Sequence, residues 1–177
     1  MSDTDELDIV FGASSAIGGA LIQRWQRQGR RPILAVTRSA NSISDIGDLN
    51  RVQVEASDYT EADLSALAAR LMSAQTNVTR LVVCNGVLQG AGYRPERALA
   101  QIDSAAMNEV FEVNTFLPMR VLSAMAPLLK TSAAPIVAAL SARVGSLGDN
   151  RRGGWYSYRS SKAALNMMLQ CLAHELV

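Results

Sequence analysis

The sequence predicts an α/β fold built as a doubly wound parallel sheet, with helices covering both faces of the sheet. Short apolar segments alternate with amphipathic segments along the whole chain, which is typical of strands alternating with helices. The apolar segments are continuous runs, as expected of strands that are buried on both sides. The 177 residues, 49% of them hydrophobic, suffice for one domain with a sizeable core.

Each element is predicted from a local pattern of apolar residues. The predicted strands are Leu7–Phe11, Ile33–Val36, Arg51–Glu55, Leu81–Cys84 and Ile136–Leu140. The predicted helices are Ile17–Gln28, Thr60–Ser73, Asp103–Lys130 and Ser157–Leu176. We expect Gly29 to end the first helix and either Thr60 or Asp58 to cap the second. Pro118 and Pro127 are expected to bend or break the long third helix.

The bulk composition predicts a soluble cytoplasmic protein. Seventeen basic and 16 acidic residues, with a net charge of +1, give no reason to expect nucleic acid or an anionic membrane as a partner. Cys84 and Cys171 lie far apart and lack metal-ligand spacing, so we expect reduced thiols. The acidic start, Met1–Asp8, is unlike a signal peptide, and no apolar run reaches the roughly 18 residues of a membrane span.

A turn of small residues lies between the first predicted strand and the first predicted helix. It consists of Gly12, Ala13, Ser14, Ser15, Ala16, Ile17, Gly18 and Gly19. Small residues let the backbone approach a pyrophosphate, and the N-terminus of a helix favours its negative charge. The turn therefore predicts a dinucleotide site of the Rossmann type, and a tight strand-to-helix connection is the alternative interpretation.

The end of the second predicted strand favours NADP(H) over NAD(H). An acidic residue there would bind the ribose 2′-hydroxyl of NAD, but the strand ends in Val36-Thr37-Arg38. Arg38 can instead pair with a 2′-phosphate, or it can be a solvated surface residue. Asp58, just past the third strand, can accept a hydrogen bond from the adenine amino group or serve only as a helix cap.

Tyr158 and Lys162 form the strongest catalytic signal in the chain. Residues four apart lie on the same face of a helix, here the last one. A tyrosine hydroxyl titrates near pH 10, too high for acid–base chemistry at neutral pH. One ammonium about 4 Å away, at an effective dielectric near 20, favours the phenolate by about 4 kcal/mol, or roughly three pKa units. We therefore expect Lys162 to bring Tyr158 toward working pH.

Two further polar residues are candidates for the same site. Ser141 follows the fifth predicted strand, at the edge where ligands bind in such sheets, and its hydroxyl can orient a carbonyl oxygen. Asn114 lies inside a predicted helix, an unfavourable place for asparagine, and can hold a water in a proton relay or simply lie at the surface. His174 is the only histidine, and we expect it to be a surface or packing residue.

With these elements in this order, the chain resembles the short-chain dehydrogenase/reductase family. The resemblance runs from Ile9 to the end of the chain. It is carried by the Gly12–Gly18 turn, Asp58, Asn85-Gly86, Asn114, Ser141, and Tyr158 with Lys162. Within the family, residues 145–150 and 155–159 resemble the branch of bacterial C-factor proteins and sniffer-type carbonyl reductases.

The resemblance implies a role for each of these residues. Tyr158 would be the general acid and base, and Lys162 would bind the nicotinamide ribose and lower the pKa of the tyrosine. Ser141 would orient the substrate, and Asn114 would serve a proton relay. The cofactor would be held by Gly12, Ser14, Ser15, Ala16, Ile17, Gly18, Arg38, Asp58, Asn85, Gly86 and Lys162.

The chain departs from the family pattern in several places. Ala16 stands where the family has the middle glycine of the turn, and its methyl group narrows the approach to the pyrophosphate. The family's Asn-Asn-Ala-Gly is reduced to residues 84–87, Cys-Asn-Gly-Val. Counting from the fifth strand puts Ser141 at the catalytic serine position, whereas counting back from Gly145 puts Ala142 there. The chain also ends inside the last predicted helix, so we expect the family's last strands and its C-terminal substrate-binding portion to be missing.

The sequence as a whole thus predicts one NAD(P)-binding domain over residues 1–177 with oxidoreductase activity. The leading hypothesis is an NADP-dependent carbonyl reductase or alcohol dehydrogenase that acts on a small molecule. The alternative is a nucleotide-binding signalling protein of the C-factor type with little or no turnover, and a purely structural domain ranks last. The resemblance also implies a homodimer or homotetramer through the two long helices. Leu165, Met168 and Leu169 can line that interface or belong to the core.

Overall fold

A parallel β-sheet forms the frame of the protein, and it confirms the predicted fold class. The computed structural model describes residues 6–29, 31–39 and 51–176. Within these ranges, five strands form one parallel sheet in the order β3-β2-β1-β4-β5, which helices flank. The strands are β1 (Glu6–Phe11), β2 (Ile33–Thr37), β3 (Val52–Ala56), β4 (Asn77–Val83) and β5 (Ile136–Ala139). Residues 1–5 of the predicted acidic start lie outside the described residues.

The predicted strands agree with the structure within one residue at each end, except at the start of β4. That strand begins at Asn77, four residues before the predicted Leu81, because its first residues already pair with β1 at Glu6. Polar residues at positions 77, 79 and 80 concealed the start. The predicted burial of both sheet faces is clearest in β2, all of which is buried.

Serine and threonine side chains cap the first two helices. In α1 (Ala16–Gln28), the Ser15 hydroxyl accepts from the Gly18 amide at 3.0 Å, and Gly29 ends the helix as predicted. In α2 (Glu61–Ser73), the Thr60 hydroxyl accepts from the Asp63 amide at 3.3 Å. Of the two predicted caps, Thr60 is therefore the one that the helix uses.

The predicted long helix is interrupted by a π-helical turn. It consists of α3 (Ser104–Phe111), the π-helical segment Glu112–Phe116 and α4 (Leu117–Thr131). The irregular turn lies immediately before Pro118, which has no N–H to donate to the carbonyl of Asn114 four residues earlier. The helix is therefore irregular shortly before Pro118, while Pro118 and Pro127 both lie inside α4 without ending it.

The described residues divide into two compact units. The first runs up to Cys84 and includes Arg120–Ala139, so it contains all five strands. The second comprises Asn85–Met119 and the residues from Leu140 onward, and it contains α3 and α5 (Tyr156–Glu175). Within the part of the chain that the structure describes, no helix is long and apolar enough to cross a membrane.

A buried ion pair joins the central strand of the sheet to one of its neighbours. The Asp8 side chain is fully buried in β1, and its carboxylate accepts from Arg80 of β4 at 2.8 Å and through a second, shorter bond. The Arg80 guanidinium also lies 3.9 Å from the centre of the Trp25 ring. Asp8 thus has a partner that satisfies its charge inside the sheet.

We expect Arg80→Met to lower the free energy of unfolding by about 3–5 kcal/mol, because it leaves a buried carboxylate unpaired. The matched control is Arg70→Met, which removes an exposed pair with Glu55 and should cost no more than about 1 kcal/mol. Urea denaturation measures both. Equal losses in the two variants would contradict a structural role for the buried pair.

Candidate active site

The glycine turn of the first unit needs glycine at both ends. Gly12 has a φ of +73°, a region that residues with side chains rarely adopt. A Cβ on Gly18 would lie 2.5 Å from the Gly12 carbonyl oxygen, too close for any side chain. The turn is therefore so tight that the end of β1 lies against the first turn of α1.

Tyr59 supports this turn, and the sequence patterns did not point to it. Its side chain is 2% exposed. The Gly12 amide donates to the Tyr59 hydroxyl at 3.1 Å, and that hydroxyl donates to the Val36 carbonyl, also at 3.1 Å. Its backbone has a φ of 62°, so a bulky residue is held in a strained conformation beside the turn.

The serines of the turn are partly used by the fold itself. The Ser15 hydroxyl caps α1, and the Ser14 hydroxyl accepts from Thr37 at 3.0 Å. Ala16 and Ile17 are the exposed first residues of α1, whose amides have no acceptor within the helix. The methyl group of Ala16 thus lies at the surface, and the turn keeps the free amides and open backbone that a phosphate group needs.

Arg38 and Asp58, the other two predicted cofactor residues of the first unit, are both exposed. Arg38 directly follows β2, as predicted. Asp58 accepts from the Thr60 amide at 2.9 Å, and this hydrogen bond lowers the pKa of its carboxyl below the ordinary value. Asp58 therefore stabilises the approach to α2 without being its cap.

In the second unit, Lys162 is buried in α5 one helical turn after Tyr158. Its side chain is 2% exposed, and its ammonium donates to the Leu140 carbonyl at 2.8 Å. Burial lowers the pKa of this amine to about 8. The ammonium has further N–H groups beyond the one that Leu140 receives.

Partial burial raises the pKa of the Tyr158 phenol above its ordinary value. This direction is opposite to the one that the sequence predicted from Lys162. The physical reason is that both side chains lose hydration, while the lysine ammonium is held by a main-chain carbonyl. Tyr158 consequently keeps its proton at neutral pH and can act as a donor.

Asn114 lies in the π-helical segment and is fully buried, which excludes the surface interpretation. Its amide nitrogen donates to the Val87 carbonyl at 2.8 Å and its oxygen accepts from the Val87 amide at 2.8 Å. The amide nitrogen also contacts the Ser161 hydroxyl at 3.2 Å. The side chain therefore anchors the segment after β4 to α5.

Gly86 and Asn85 shape the space beside Asn114 and Lys162. A Cβ on Gly86 would lie 3.4 Å from the Asn114 oxygen and 3.5 Å from the Lys162 nitrogen. The side-chain oxygen of Asn85 is buried, and it has no hydrogen-bond partner among the described residues. Such an acceptor requires an explanation, and a bound polar group would supply one.

Ser141 is not brought to Tyr158 by any hydrogen bond. Its exposed side chain donates to the Asn166 carboxamide at 2.5 Å. Asn166 lies eight residues beyond Tyr158, which is about 12 Å along a helix axis. Neither Ser141 nor Ala142 lines the cavity that contains Tyr158.

That cavity has a volume of about 750 Å³ and belongs entirely to the second unit. Its wall contains apolar side chains, charged side chains and the candidate catalytic residue Tyr158. The Trp155 ring meets the Tyr158 ring edge-on, with centres 6.2 Å apart. The residues that line it include Leu88, Arg94, Glu96, Arg97, Val110, Trp155 and Tyr158.

Glu96 holds the start of α5, a role that the sequence did not reveal. The residue before this helix, Trp155, has a φ of 54° and no side-chain cap of its own. The buried Glu96 carboxylate instead accepts from the Ser157 amide at 3.3 Å and from the Ser157 hydroxyl. The Glu96 carbonyl also accepts from the Trp155 amide at 2.5 Å. A residue 61 positions earlier thus fixes the turn that carries Tyr158.

The remaining residues that the sequence singled out have the following surroundings. Both cysteines are free, and burial raises the pKa of the Cys84 thiol to about 11. His174 is exposed in the last turn of α5. The described residues contain no cluster of side chains that would hold a metal ion. Leu165 is buried in the core, whereas Met168 is exposed.

The family is shown by comparison with known proteins. The family model described as short chain dehydrogenase matches residues 7–177. The chain therefore belongs to the short-chain dehydrogenase family of oxidoreductases, whose members bind a nicotinamide cofactor and act on small molecules. The predicted resemblance to this family is confirmed.

Individual relatives agree with this assignment. The 1-hydroxy-2-glutathionyl-2-methyl-3-butene dehydrogenase of Rhodococcus sp. (strain AD45) is 32% identical over 168 residues, 95% of this chain and 70% of that protein. The C-signal of Myxococcus xanthus is 46% identical over 79 residues, 45% of this chain and 48% of that protein. The carbonyl reductase Sniffer of D. melanogaster has the same fold, with a TM-score of 0.83, 19% identity, and coverage of 98% of this chain and 75% of that chain.

The buried Lys162 predicts a pH dependence of stability. Its pKa is about 8 in the folded protein and 10.5 ordinarily, so above pH 8 the unfolded chain binds more protons and stability rises with pH. We expect wild type to gain up to about 1.4 kcal/mol per pH unit relative to Lys162→Met between about pH 8 and 9. Urea denaturation at several pH values measures this difference.

Cys84 affects both proteins in the same way. Its raised folded pKa makes stability fall above pH 9, the ordinary value of the thiol, and this effect cancels in the difference between wild type and Lys162→Met. Parallel pH profiles for wild type and Lys162→Met up to pH 9 would contradict a buried, titrating lysine.

Proposed function

We propose that this protein is an NADP-dependent oxidoreductase that interconverts a carbonyl group and an alcohol, with Tyr158 as its general acid and base. The observation that carries the proposal is the position of the tyrosine. Tyr158 lines a cavity, and its hydroxyl has no hydrogen-bond partner in the described ranges, so it is available to a substrate oxygen. The Rhodococcus relative supports the proposal, since its name describes the dehydrogenation of a hydroxy compound.

The residues of this chain fit a nicotinamide dinucleotide. In the first unit, the turn from Gly12 to Gly18 would bind the phosphates through free amides at the start of α1, with Ser14, Ser15, Ala16 and Ile17 between its ends. In the second unit, the unpartnered Asn85 oxygen and the backbone of Gly86 would contact polar groups of the cofactor, and Lys162 would donate to a ribose hydroxyl. We further propose that Arg38 binds the 2′-phosphate and that Asp58 accepts from the adenine amino group.

Each residue then has a defined task in the reaction. The bound cofactor supplies or accepts the hydride. In reduction, the Tyr158 hydroxyl donates its proton to the carbonyl oxygen, and in oxidation the phenolate takes a proton from the alcohol. At neutral pH the phenol carries the proton that reduction requires, and its raised pKa keeps it in this form.

Asn114 and Ser141 would contribute differently from what the resemblance implies. The Asn114 side chain already forms hydrogen bonds with Val87 and Ser161, so a proton relay would have to use its backbone carbonyl. Pro118, four residues later, has no N–H to donate to that carbonyl. The Ser141 hydroxyl would have to leave Asn166 to orient a substrate. We therefore assign proton transfer to Tyr158 and expect Ser141 to contribute less to the reaction.

A second candidate function is supported by one specific observation, the 46% identity to the C-signal of Myxococcus xanthus over 79 residues. In this alternative the protein binds the dinucleotide and acts as a signal, with little or no turnover. The two functions differ in one measurable way. Tight NADPH binding without reduction of any aldehyde or ketone in a broad panel would favour the signalling protein.

We expect Tyr158→Phe to lose at least about 100-fold in the rate of carbonyl reduction, the usual contribution of a positioned general acid. NADPH binding should stay within about twofold, because the phenyl ring still fills its place against Trp155. Initial rates of NADPH oxidation and fluorescence titration measure the two effects. Tyr156→Phe, the neighbouring tyrosine at the start of α5, is the matched control and should keep its activity. Full activity of Tyr158→Phe would disprove the assignment.

The proposed cofactor preference is tested at Arg38. Loss of a charge-assisted contact should weaken NADPH binding to Arg38→Ala by about 10- to 100-fold while NADH binding is unchanged. Arg27→Ala, an exposed arginine in the last turn of α1, removes the same charge without the proposed contact. Isothermal titration calorimetry with NADPH and with NADH measures the two dissociation constants and their ratio in each variant. An equal loss for NADPH and NADH would refute a 2′-phosphate contact.

A further inference from the structure

The two carboxylates of the cavity beside Tyr158 are already used by the protein. Glu96 accepts from the amide and hydroxyl of Ser157 at the start of α5. Asp103 accepts from the Ala106 amide at 2.8 Å and caps α3. Each acid thus lies at the N-terminus of a helix, whose partial positive charge offsets the negative charge. Neither is a free group for a ligand.

The neutral polar side chains of the cavity are also largely occupied. The Gln101 carboxamide oxygen accepts from the amide of Arg97 at 2.7 Å and from that of Ala98 at 3.3 Å. The Tyr93 hydroxyl donates to Glu109 at 3.1 Å. These bonds hold the loop between β4 and α3 in place. Gln89 also lines the cavity, and its exposed carboxamide forms no hydrogen bond among the described residues.

Arg94 and Arg97 are different, because their guanidinium groups form no ion pair in the ranges that the structure describes. Both residues line the cavity that contains Tyr158, and both are exposed to solvent. A guanidinium group has five N–H donors and no acceptor. The two carboxylates of the cavity accept from neutral groups, so neither forms an ion pair with Arg94 or Arg97. Together with the Tyr158 hydroxyl, the two guanidinium groups are donors that a ligand with a negatively charged acceptor group would match.

We propose that the substrates of this cavity are carbonyl compounds that carry a carboxylate, which Arg94 and Arg97 recognise. This inference rests on the proposed function, since it takes Tyr158 as the group that meets the carbonyl oxygen. The planar fork of arginine matches a carboxylate through two parallel hydrogen bonds, which a lysine cannot form. Leu88, Val110 and Trp155 line the same cavity and provide an apolar surface for the body of the substrate.

The kinetic test compares an aldehyde that carries a carboxylate with its neutral ester, and the ratio between them is followed from wild type to variant so that their intrinsic reactivities cancel. They are 4-carboxybenzaldehyde and its neutral methyl ester, each reduced with NADPH. Wild type should have the higher kcat/KM for the acid. In Arg94→Gln/Arg97→Gln, the ratio of the two kcat/KM values should fall by about 10- to 100-fold, as expected for the loss of charge-assisted hydrogen bonds. An unchanged ratio would overturn the inference, while reduction of both aldehydes would leave the proposed function intact.

A matched control separates recognition from general electrostatics. Arg151→Gln/Arg152→Gln removes two exposed arginines from the loop before α5, neither of which lines the cavity. This variant loses the same net charge and should keep the wild-type ratio. If it lowers the ratio as much as the cavity variant does, the effect comes from long-range charge and the assignment to Arg94 and Arg97 is wrong.

A binding measurement makes the test independent of turnover. Benzoate and benzamide are titrated against the fluorescence of Trp155, and Trp155→Phe identifies its signal. Benzoate should bind more tightly than benzamide, and the difference should vanish in Arg94→Gln/Arg97→Gln. If this holds while neither aldehyde is reduced, the carboxylate site stands and the proposed catalytic function fails. Equal binding of the two probes to wild type would refute the site.

Discussion

The parallel pairing of β1 between β2 and β4 is the constraint on which the first unit depends. Parallel strands end at the same edge of a sheet, so the residues that follow them are brought together by the backbone alone. The Ala13 amide bonds to the Val36 carbonyl, and the Cys84 amide bonds to the Phe11 carbonyl. The glycine turn thus follows directly from the paired edge of the sheet, and the Tyr59 hydroxyl holds it there through hydrogen bonds to Gly12 and Val36. Its shape follows from strand pairing before any ligand is considered.

Desolvation is the corresponding constraint in the second unit. Lys162 is buried and Tyr158 is partly buried, and burial penalises the charged form of each. The lysine is compensated by the Leu140 carbonyl, a neutral partner that holds the ammonium without removing its charge. The tyrosine has no such compensation and stays protonated. Coulomb attraction alone, with about 4 kcal/mol at an effective dielectric near 20, led to the opposite expectation because it left burial out.

The sequence allowed the fold and several features of the candidate site to be predicted, because those features are local. Apolar runs mark strands, and a serine or threonine before a helix marks its cap, as at Thr60. Features that depend on distant partners could not be predicted in the same way. The start of β4 follows from pairing with β1, the cap of α5 comes from Glu96, and the support of the glycine turn comes from Tyr59. In each case the side chain is ordinary in its own sequence context.

The serine register shows the same limit in the site itself. Counting residues could not decide between Ser141 and Ala142. Counting forward from the fifth strand gives Ser141 and counting back from Gly145 gives Ala142, because the number of residues between the strand and the glycine can vary. The structure adds a physical criterion, since the Ser141 hydroxyl donates to Asn166 while Tyr158 lines a cavity that Ser141 does not reach. Arg94 and Arg97 are charged donors in that cavity that form no ion pair among the described residues. In the proposed complex, the carbonyl oxygen meets Tyr158 while a carboxylate of the same substrate meets the arginines. Substrate choice would then depend on the loop that also supports the start of α5 through Glu96.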